Sequence, residues 1–170
     1  MKKHRFGLIA IAALALAVSG CAAESATETT APAGETTAAE CTGVQVVVDF
    51  GELRDESTTE CVETDAALTA AEAFADAGVE LSESEAFAGA ICRVDGLPAA
   101  DTELEYEGET RSEDCVTMGP VWAYWGLFID TGDGWGYAQE GASSQQVKPG
   151  EAIAFAWQFG DTTEPRLPEG

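Results

Sequence analysis

The chain has 170 residues, and 31 Asp and Glu against eight Lys and Arg give it a net charge of −23 at pH 7. A protein that binds nucleic acid through its phosphates needs a basic stripe, so this composition excludes most nucleic-acid-binding classes. The single histidine, His4, stands at the start of the chain. Catalytic triads and zinc sites that use histidine are therefore not expected in a domain further along.

The first twenty residues have the composition of a removable secretion signal. A basic start over residues 2–5 precedes an unbroken apolar run over residues 6–18. This run is too short to cross a membrane, and its proportions are those of a signal peptide. Removal of residues 1–20 leaves five Lys and Arg against 31 Asp and Glu, so the expected mature net charge is −26.

A cysteine follows the signal directly. Residues 18–21, Val-Ser-Gly-Cys, resemble the bacterial lipoprotein box, which implies cleavage before Cys21 and acylation of its thiol. Two or three acyl chains hold a protein on a membrane where one chain binds only marginally. The predicted location is therefore extracytoplasmic, with Cys21 as the lipid anchor in the cell membrane. The alternative is an ordinary signal peptide cut after Ala17 or Ala23.

The rest of the chain divides by composition into three parts. After the anchor, residues 21–40 consist almost entirely of Ala, Glu, Thr, Ser and Gly, which predicts a disordered tether. Residues 41–161 are expected to form one globular α+β domain, because about 120 residues suit a single core. The acidic, Pro-containing segment 162–170 is expected to be a flexible tail.

Four cysteines remain in the domain, at positions 41, 61, 92 and 115. An even number in an oxidising compartment predicts disulfides rather than metal ligation or a catalytic thiol. Of the three possible connectivities, Cys41 with Cys61 and Cys92 with Cys115 is favoured, because each pair closes a short loop of about twenty residues. The sequence leaves the other two connectivities open.

The first half of the domain predicts two strands and a helix. Apolar residues alternate over 44–50, which indicates a strand with one buried face, and residues 58–62 can return as its partner. Thr64 or Asp65 offers an N-cap for a helix with apolar residues at helical spacing. Gly78 marks the end of that helix.

The second half predicts further strands. Residues 87–94 are expected to form a third strand, and the polar segment 99–119 a loop tied down by a cysteine. Residues 121–129 predict a strand covered on both faces. After a turn and a short strand at 135–138, residues 152–159 alternate large aromatic and small side chains, which predicts a strand whose aromatic side chains belong to the core. The fold class is therefore α+β, a small mixed sheet with one main helix packed on it, β-grasp-like, with two disulfides.

Six short segments carry a resemblance to known proteins: residues 46–51, 77–79, 91–96, 122–125, 134–137 and 147–153. They resemble segments of secreted actinobacterial proteins that are similar in turn to the DUF4430, or transcobalamin-like, domain. The resemblance implies a β-grasp-type fold and, in animal relatives, a small domain that closes over a corrinoid beside a larger helical domain. This sequence has no helical partner domain, so a corrinoid is implied by resemblance only and no resident cofactor is predicted.

Four aromatic residues are the candidates for a ligand-binding or partner-binding face. They are Trp122, Tyr124, Trp135 and Tyr137. Trp and Tyr provide large contact area at modest entropic cost, and ordinary packing within the sheet is the alternative interpretation.

No motif predicts catalysis or metal binding. Nucleophile-elbow and phosphate-loop patterns are absent, and the residues from Asp130 to Asp133 lack the spacing of an EF-hand loop. The predicted function is a non-enzymatic lipoprotein module that binds a small molecule or another envelope protein, and no nucleic acid. The alternatives are an accessory envelope protein without a ligand and, less favoured, an envelope hydrolase that uses two carboxylates.

Overall fold

The computed structural model describes residues 41–164 and 166–168. The secretion signal, Cys21 and the tether lie outside these residues. Within the described residues the elements follow in this order: β1 (Val44–Asp49), a 3₁₀ turn (Gly51–Leu53), β2 (Thr58–Val62), β3 (Leu68–Thr69), α1 (Ala70–Asp76), β4 (Leu81–Glu83), β5 (Ile91–Val94), β6 (Glu103–Tyr106), β7 (Glu109–Ser112), β8 (Ala123–Asp130), β9 (Trp135–Tyr137), β10 (Gln146–Val147) and β11 (Ala152–Phe159).

Five strands form the main sheet, in the order β2-β1-β11-β8-β9. β1 and β11 run parallel, and the other pairs are antiparallel. The predicted α+β class, with a mixed sheet and one helix, is confirmed. Strand β11 lies at the centre of the sheet, between β1 and β8, and seven of its eight residues are buried.

The principal core lies between this sheet and α1. Phe74 of the helix contacts Phe155 of β11, with ring centroids 4.8 Å apart. On the next strand Trp125 meets the edge of Phe50 at 5.6 Å. Because side chains alternate along a strand, the aromatic residues of β8 and β11 at odd positions all point toward this side.

The helix begins later than the sequence predicts. Its N-cap is Thr69 and not Thr64 or Asp65, and Thr69 forms a capping box with Glu72. The Thr69 Oγ1 accepts the Glu72 N–H at 3.2 Å, and Glu72 Oε2 accepts the Thr69 N–H at 2.8 Å. The Thr69 hydroxyl also donates to Glu72 Oε2 at 2.8 Å, and the hydrogen bonds from the Thr69 backbone N–H and hydroxyl to this carboxylate lower the pKa of Glu72. The predicted start was wrong because residues 68–69 pair with β10 as a strand and so cannot join the helix.

The segment 99–119 also differs from the expectation of a loop, because it contains the hairpin β6–β7. Its turn is made by Glu107 and Gly108, both with positive φ. Leu104 of β6 is buried, and Tyr106 packs 5.8 Å from Trp122. These apolar contacts with the main core outweigh the polar composition of the segment.

The predicted third strand starts later than expected and has an unpredicted partner. β5 begins at Ile91 instead of Phe87, and it pairs with β4. Residues 85–90 form turns, and the Phe87 side chain is exposed.

Both disulfides form with the favoured connectivity. Cys41–Cys61 joins the start of β1 to β2, with Cα atoms 5.7 Å apart. Cys92–Cys115 joins β5 to the segment after β7, with Cα atoms 5.4 Å apart. The prediction of two disulfides is confirmed.

The described part of the C-terminal segment contacts the sheet, which differs from the flexible tail expected. The Gln158 side chain makes two hydrogen bonds of 2.8 Å with the backbone N–H and carbonyl of Arg166. The Arg166 guanidinium lies 2.6 Å from the carboxylate of Asp49 on β1. Buried polar side chains on the sheet face opposite α1 thus hold this segment in place.

No helix in the described residues is long and apolar enough to cross a membrane.

Candidate functional site

A cavity of about 460 Å³ opens on the helix side of the main sheet. Its floor is the aromatic surface of β8 and β11, formed by Trp125, Phe155 and Trp157. Its walls are two segments, residues 89–92, which include the start of β5, and the loop 117–121. Most of the lining is apolar, and its volume falls in the range of small-molecule sites.

The two walls are held together by several different interactions. The Cys92–Cys115 disulfide connects them covalently. The backbone N–H groups of Glu85 and Ala86 donate to the carbonyls of Cys115 and Val116, at 2.8 and 3.1 Å. The site is therefore built on loops whose relative position is constrained.

Two arginines also support the second wall. The Arg93 guanidinium donates to the carbonyls of Pro98 and Glu113. Arg111 of β7 donates to Thr117 Oγ1 at 2.8 Å. The hairpin that the sequence did not predict thus anchors one side of the cavity.

The mouth of the cavity is surrounded by exposed apolar side chains. Val121 is 83% exposed and Met118 57% exposed, and both line the cavity. Phe87 and Val116 are exposed beside it, outside its lining. In the part of the chain that the structure describes, these are four of the six large apolar side chains that are exposed. Such a concentration marks an interaction site rather than scattered surface residues.

One carboxylate belongs to the wall. Glu113 lines the cavity, although the residue is only 7% exposed, and its Oε1 accepts the Cys115 N–H at 2.8 Å. The segment needs glycine at position 119, since a Cβ there would lie 2.7 Å from the carbonyl oxygen of Ala123 and 3.2 Å from Glu113 Oε2. The cavity is therefore an apolar space with a single acidic group.

A second, smaller cavity of about 220 Å³ adjoins the first. It lies between α1 and residues 79–83, and its lining includes Gly89, Ile91 and Ala142, which also line the first cavity. These shared residues place the two cavities side by side.

The four aromatic residues predicted as one binding face are not together. Trp122 is buried in the core and donates from Nε1 to Glu109 Oε2 at 3.0 Å, so its interpretation as part of an exposed face was wrong. The physical reason is that Trp122 precedes β8 and packs 5.8 Å from Phe159 instead of joining the strand alternation.

The other three lie on the sheet face opposite α1. The Tyr124 and Tyr137 hydroxyls are 2.8 Å apart, and the Tyr137 ring stacks on Phe128 at 4.4 Å. Burial, followed by the hydrogen bond to Tyr124, raises the pKa of Tyr137. Trp135 packs against the small apolar cluster around Phe128. Here the aromatic side chains contact mainly one another and the sheet.

Of the four aromatic candidates from the sequence, Tyr124 alone is among the residues that line the cavity, and the sequence did not indicate the other lining residues. It assigned Phe155 and Trp157 to the core, which is correct for most of their surface, but their rings also form the cavity floor. A signal was present in Met118 and Val121, two apolar residues close to a polar, acidic segment. An apolar residue in such a segment is informative when the fold leaves it exposed.

Metal chemistry has little support in the described part of the chain. Asp130 Oδ1 accepts the N–H groups of Gly132 and Gly134, at 2.7 and 3.0 Å, so this carboxylate stabilises its own turn. Among the described residues no group of three or more His, Cys, Asp or Glu side chains is placed to hold a metal ion.

Comparisons of the chain with protein-family models, with curated proteins and with solved structures found no match. The function of this chain is therefore inferred from the chemistry of the cavity. Its main elements are an aromatic floor, an exposed apolar mouth and one buried carboxylate.

Proposed function

We propose that this chain is a lipid-anchored extracytoplasmic protein that binds a predominantly apolar small molecule in the 460 Å³ cavity. The observation that carries the proposal is the open cavity with Trp125, Phe155 and Trp157 as its floor and Met118 and Val121 at its mouth. A soluble domain rarely exposes large apolar side chains together unless a ligand or partner covers them. Binding would remove this apolar surface from water.

The anchoring part of the proposal is supported by the sequence and by the disulfides. Disulfides form in oxidising compartments, so the two bridges agree with export. A signal segment followed by Cys21 agrees with lipid attachment. The tether over residues 22–40 would then allow the domain to stand clear of the membrane surface.

The strand order also supports the finer assignment of a β-grasp-type domain. A parallel central pair, β1 and β11, flanked by antiparallel strands and crossed by one helix agrees with that arrangement. The proposed resemblance to the transcobalamin-like domain is supported to the same extent. A corrinoid therefore belongs among the ligands to be tested.

A binding role is favoured over an envelope hydrolase. A glycosidase-type mechanism needs two carboxylates on opposite sides of the reacting bond. Among the described residues that line the main cavity, Glu113 is the only acid. The cavity therefore offers a ligand one carboxylate and not a pair of acid and base.

The ligand-binding proposal is tested with the mature chain, residues 21–170, carrying Cys21→Ser so that no acyl chain competes. The neutral fluorescent probe N-phenyl-1-naphthylamine should bind with increased emission. Replacing both Met118 and Val121 by Ser should weaken binding about tenfold, since partial burial of two apolar side chains is lost.

The matched control replaces Phe87 and Val116 by Ser, because these side chains are also exposed, 49% and 43%, but lie outside the cavity lining. Binding should be unchanged in this control. If the control variant loses binding and the first variant does not, the probe lies on the outer loops, and an accessory protein that meets a partner there becomes the better interpretation. No binding by the unmodified domain contradicts the proposal.

The anchor is tested separately in cells by fractionation. Replacing Cys21 by Ala should release the protein from the membrane or leave the precursor uncut, because the thiol is the acylated atom. Unchanged membrane retention of a correctly processed variant would exclude Cys21 as the anchor.

A further inference from the structure

We infer that the cavity selects an organic cation, a molecule with an apolar body and an ammonium or guanidinium group that pairs with Glu113. This inference rests on the proposed function and names the chemical class of the ligand. Three observations carry it: the environment of Glu113, the aromatic floor, and the charge of the whole chain.

Glu113 is a buried carboxylate without a cation. The residue is 7% exposed, and the Oε1 bond to the Cys115 N–H is its one side-chain hydrogen bond among the described residues. The ion pairs in that part of the chain are Lys148 with Glu151 and Arg166 with Asp49, so neither includes Glu113. Among the described residues Oε2 has no hydrogen-bond partner and is not sealed from solvent, so a cation bound in the cavity can pair with it.

Arg93 contacts Glu113, but its guanidinium donates to backbone carbonyls and not to the carboxylate. Arg93 donates from Nε to the Pro98 carbonyl at 2.9 Å, and from Nη2 to the backbone carbonyl of Glu113. The guanidinium thus holds the backbone of the wall and leaves the carboxylate to the cavity. Gly119 keeps the space beside Oε2 open, because a side chain there would begin 3.2 Å from that oxygen.

The aromatic floor suits a cation as well as an apolar body. The indole N–H of Trp125 donates to the Leu97 carbonyl at 3.1 Å, and that of Trp157 donates to Glu52 at 3.0 Å. Because both polar groups are satisfied by the protein, the small exposed parts of the two indoles, 6% of Trp125 and 1% of Trp157, present aromatic carbon to a ligand. Tryptophan faces attract organic cations through the ring quadrupole.

The net charge of the chain also favours a cationic ligand. A net charge of −23 attracts cations toward the surface and repels anions. A fatty acid or another anionic amphiphile would place its carboxylate near Glu113, so the repulsion excludes this class. The favoured ligand is therefore an amphiphilic amine or a related cation.

The inference is tested with three probes that share one apolar body: 4-phenylbutylamine, 4-phenylbutanol and 4-phenylbutyrate. Their affinities for residues 21–170 with Cys21→Ser are measured by isothermal titration calorimetry. The amine should bind about tenfold more tightly than the alcohol, as expected for a hydrogen bond to a charged group. The carboxylate should bind most weakly.

Two variants distinguish the contribution of Glu113 to the amine affinity from that of the general surface charge. Glu113→Gln keeps an acceptor for the Cys115 N–H and should reduce the amine affinity to that of the alcohol. Asp114→Asn is the matched control, since it removes one charge from the neighbouring exposed position, and the amine preference should be unchanged. At 0.5 M salt the screening length falls to about 4 Å, so surface attraction is lost while a direct pair persists.

Each outcome has a defined meaning. A preference for the amine that survives salt and is lost in Glu113→Gln supports the inference. A preference that disappears in salt, or equal binding of amine and alcohol, overturns it and leaves the proposed function standing. If none of the three probes nor N-phenyl-1-naphthylamine binds the unmodified chain, the proposed function fails, and the inference fails with it.

Discussion

Apolar side chains are buried in the main sheet but exposed in the loops that surround the cavity. In the sheet, Ile153, Ala154 and Ala156 are completely buried, and each lies between two hydrogen-bonded neighbours. In the loops, Val121 and Met118 are mostly exposed, although a disulfide and several hydrogen bonds hold the loops in place.

This contrast indicates where stability and recognition are located. The sheet buries its apolar surface within the domain, so that surface contributes to folding. The loops leave theirs accessible, so it is available to a ligand, on a scaffold that the sheet makes rigid. Substitutions in the two regions should therefore change different measured quantities.

The same substitution should give the largest contrast when it is placed once in the core between α1 and the sheet and once in the loops. Phe74→Ala removes a fully buried ring that packs 4.8 Å from Phe155, and it should lower the free energy of unfolding by about 3–5 kcal/mol. Phe87→Ala, at a side chain that is 49% exposed, should change it by less than about 0.5 kcal/mol. Urea unfolding measures both, and similar losses would contradict the division of roles.

Removal of each disulfide should sharpen the comparison. The two bridges span 20 and 23 residues, so each should contribute about 3 kcal/mol to stability. Replacing Cys92 and Cys115 by Ser should also abolish binding of N-phenyl-1-naphthylamine, because the two cavity walls separate. Replacing Cys41 and Cys61 by Ser is the control and should leave binding intact below the unfolding transition. Equal loss of binding in both variants would show that the bridges act only through global stability.

The C-terminal segment should behave as part of the sheet. Arg166→Gln breaks a contact with the buried carboxylate of Asp49 and should cost about 1–3 kcal/mol. This is below the cost for a fully buried pair, because the Arg166 side chain is 38% exposed. Lys148→Gln, in an exposed pair at 3.8 Å, should cost less than about 1 kcal/mol. Thermal denaturation distinguishes them, and equal shifts in Tm would show that the segment contributes no more than a surface contact.

The helix cap should give the smallest effect and one that depends on pH. Thr69→Ala should cost about 1 kcal/mol at pH 7. The hydrogen bonds from Thr69 lower the pKa of Glu72 from its ordinary 4.5, so their stabilisation is present above that pH and is lost as the pH falls through the lowered pKa. The difference between Thr69→Ala and the unmodified chain should therefore decrease below pH 4.5 in urea unfolding. A difference independent of pH would mean that Glu72 does not take part.

Local patterns predicted the elements whose conformation follows from short-range spacing. The alternation over residues 44–50 and 152–159 indicated strands β1 and β11, although β1 is buried on both faces and not on one as expected, and the short spacings favoured the disulfides that form. The predictions failed where a distant partner decides the conformation. The strand pairing of β3 with β10 moves the helix start to Thr69, and contact with Trp122 orders the hairpin that carries Tyr106.

The candidate site was less predictable for the same reason. Trp122 and Trp125 are three residues apart and both aromatic, yet one is enclosed by the β6–β7 hairpin and the other faces the cavity. No local property distinguishes them. The distinction depends on which loop covers each ring.

By itself the sequence determined the composition that excludes most nucleic-acid partners, the signal-like start, the disulfide-forming cysteines and the two-residue period of the central strands. These features depend on residue chemistry and on short-range spacing. Only the tertiary structure decided that the core leaves a cavity beside β8 and β11, and that Glu113 lines it. A cavity is the space that remains between segments from positions 84 to 162, so it depends on how those segments fill volume together and not on any one of them.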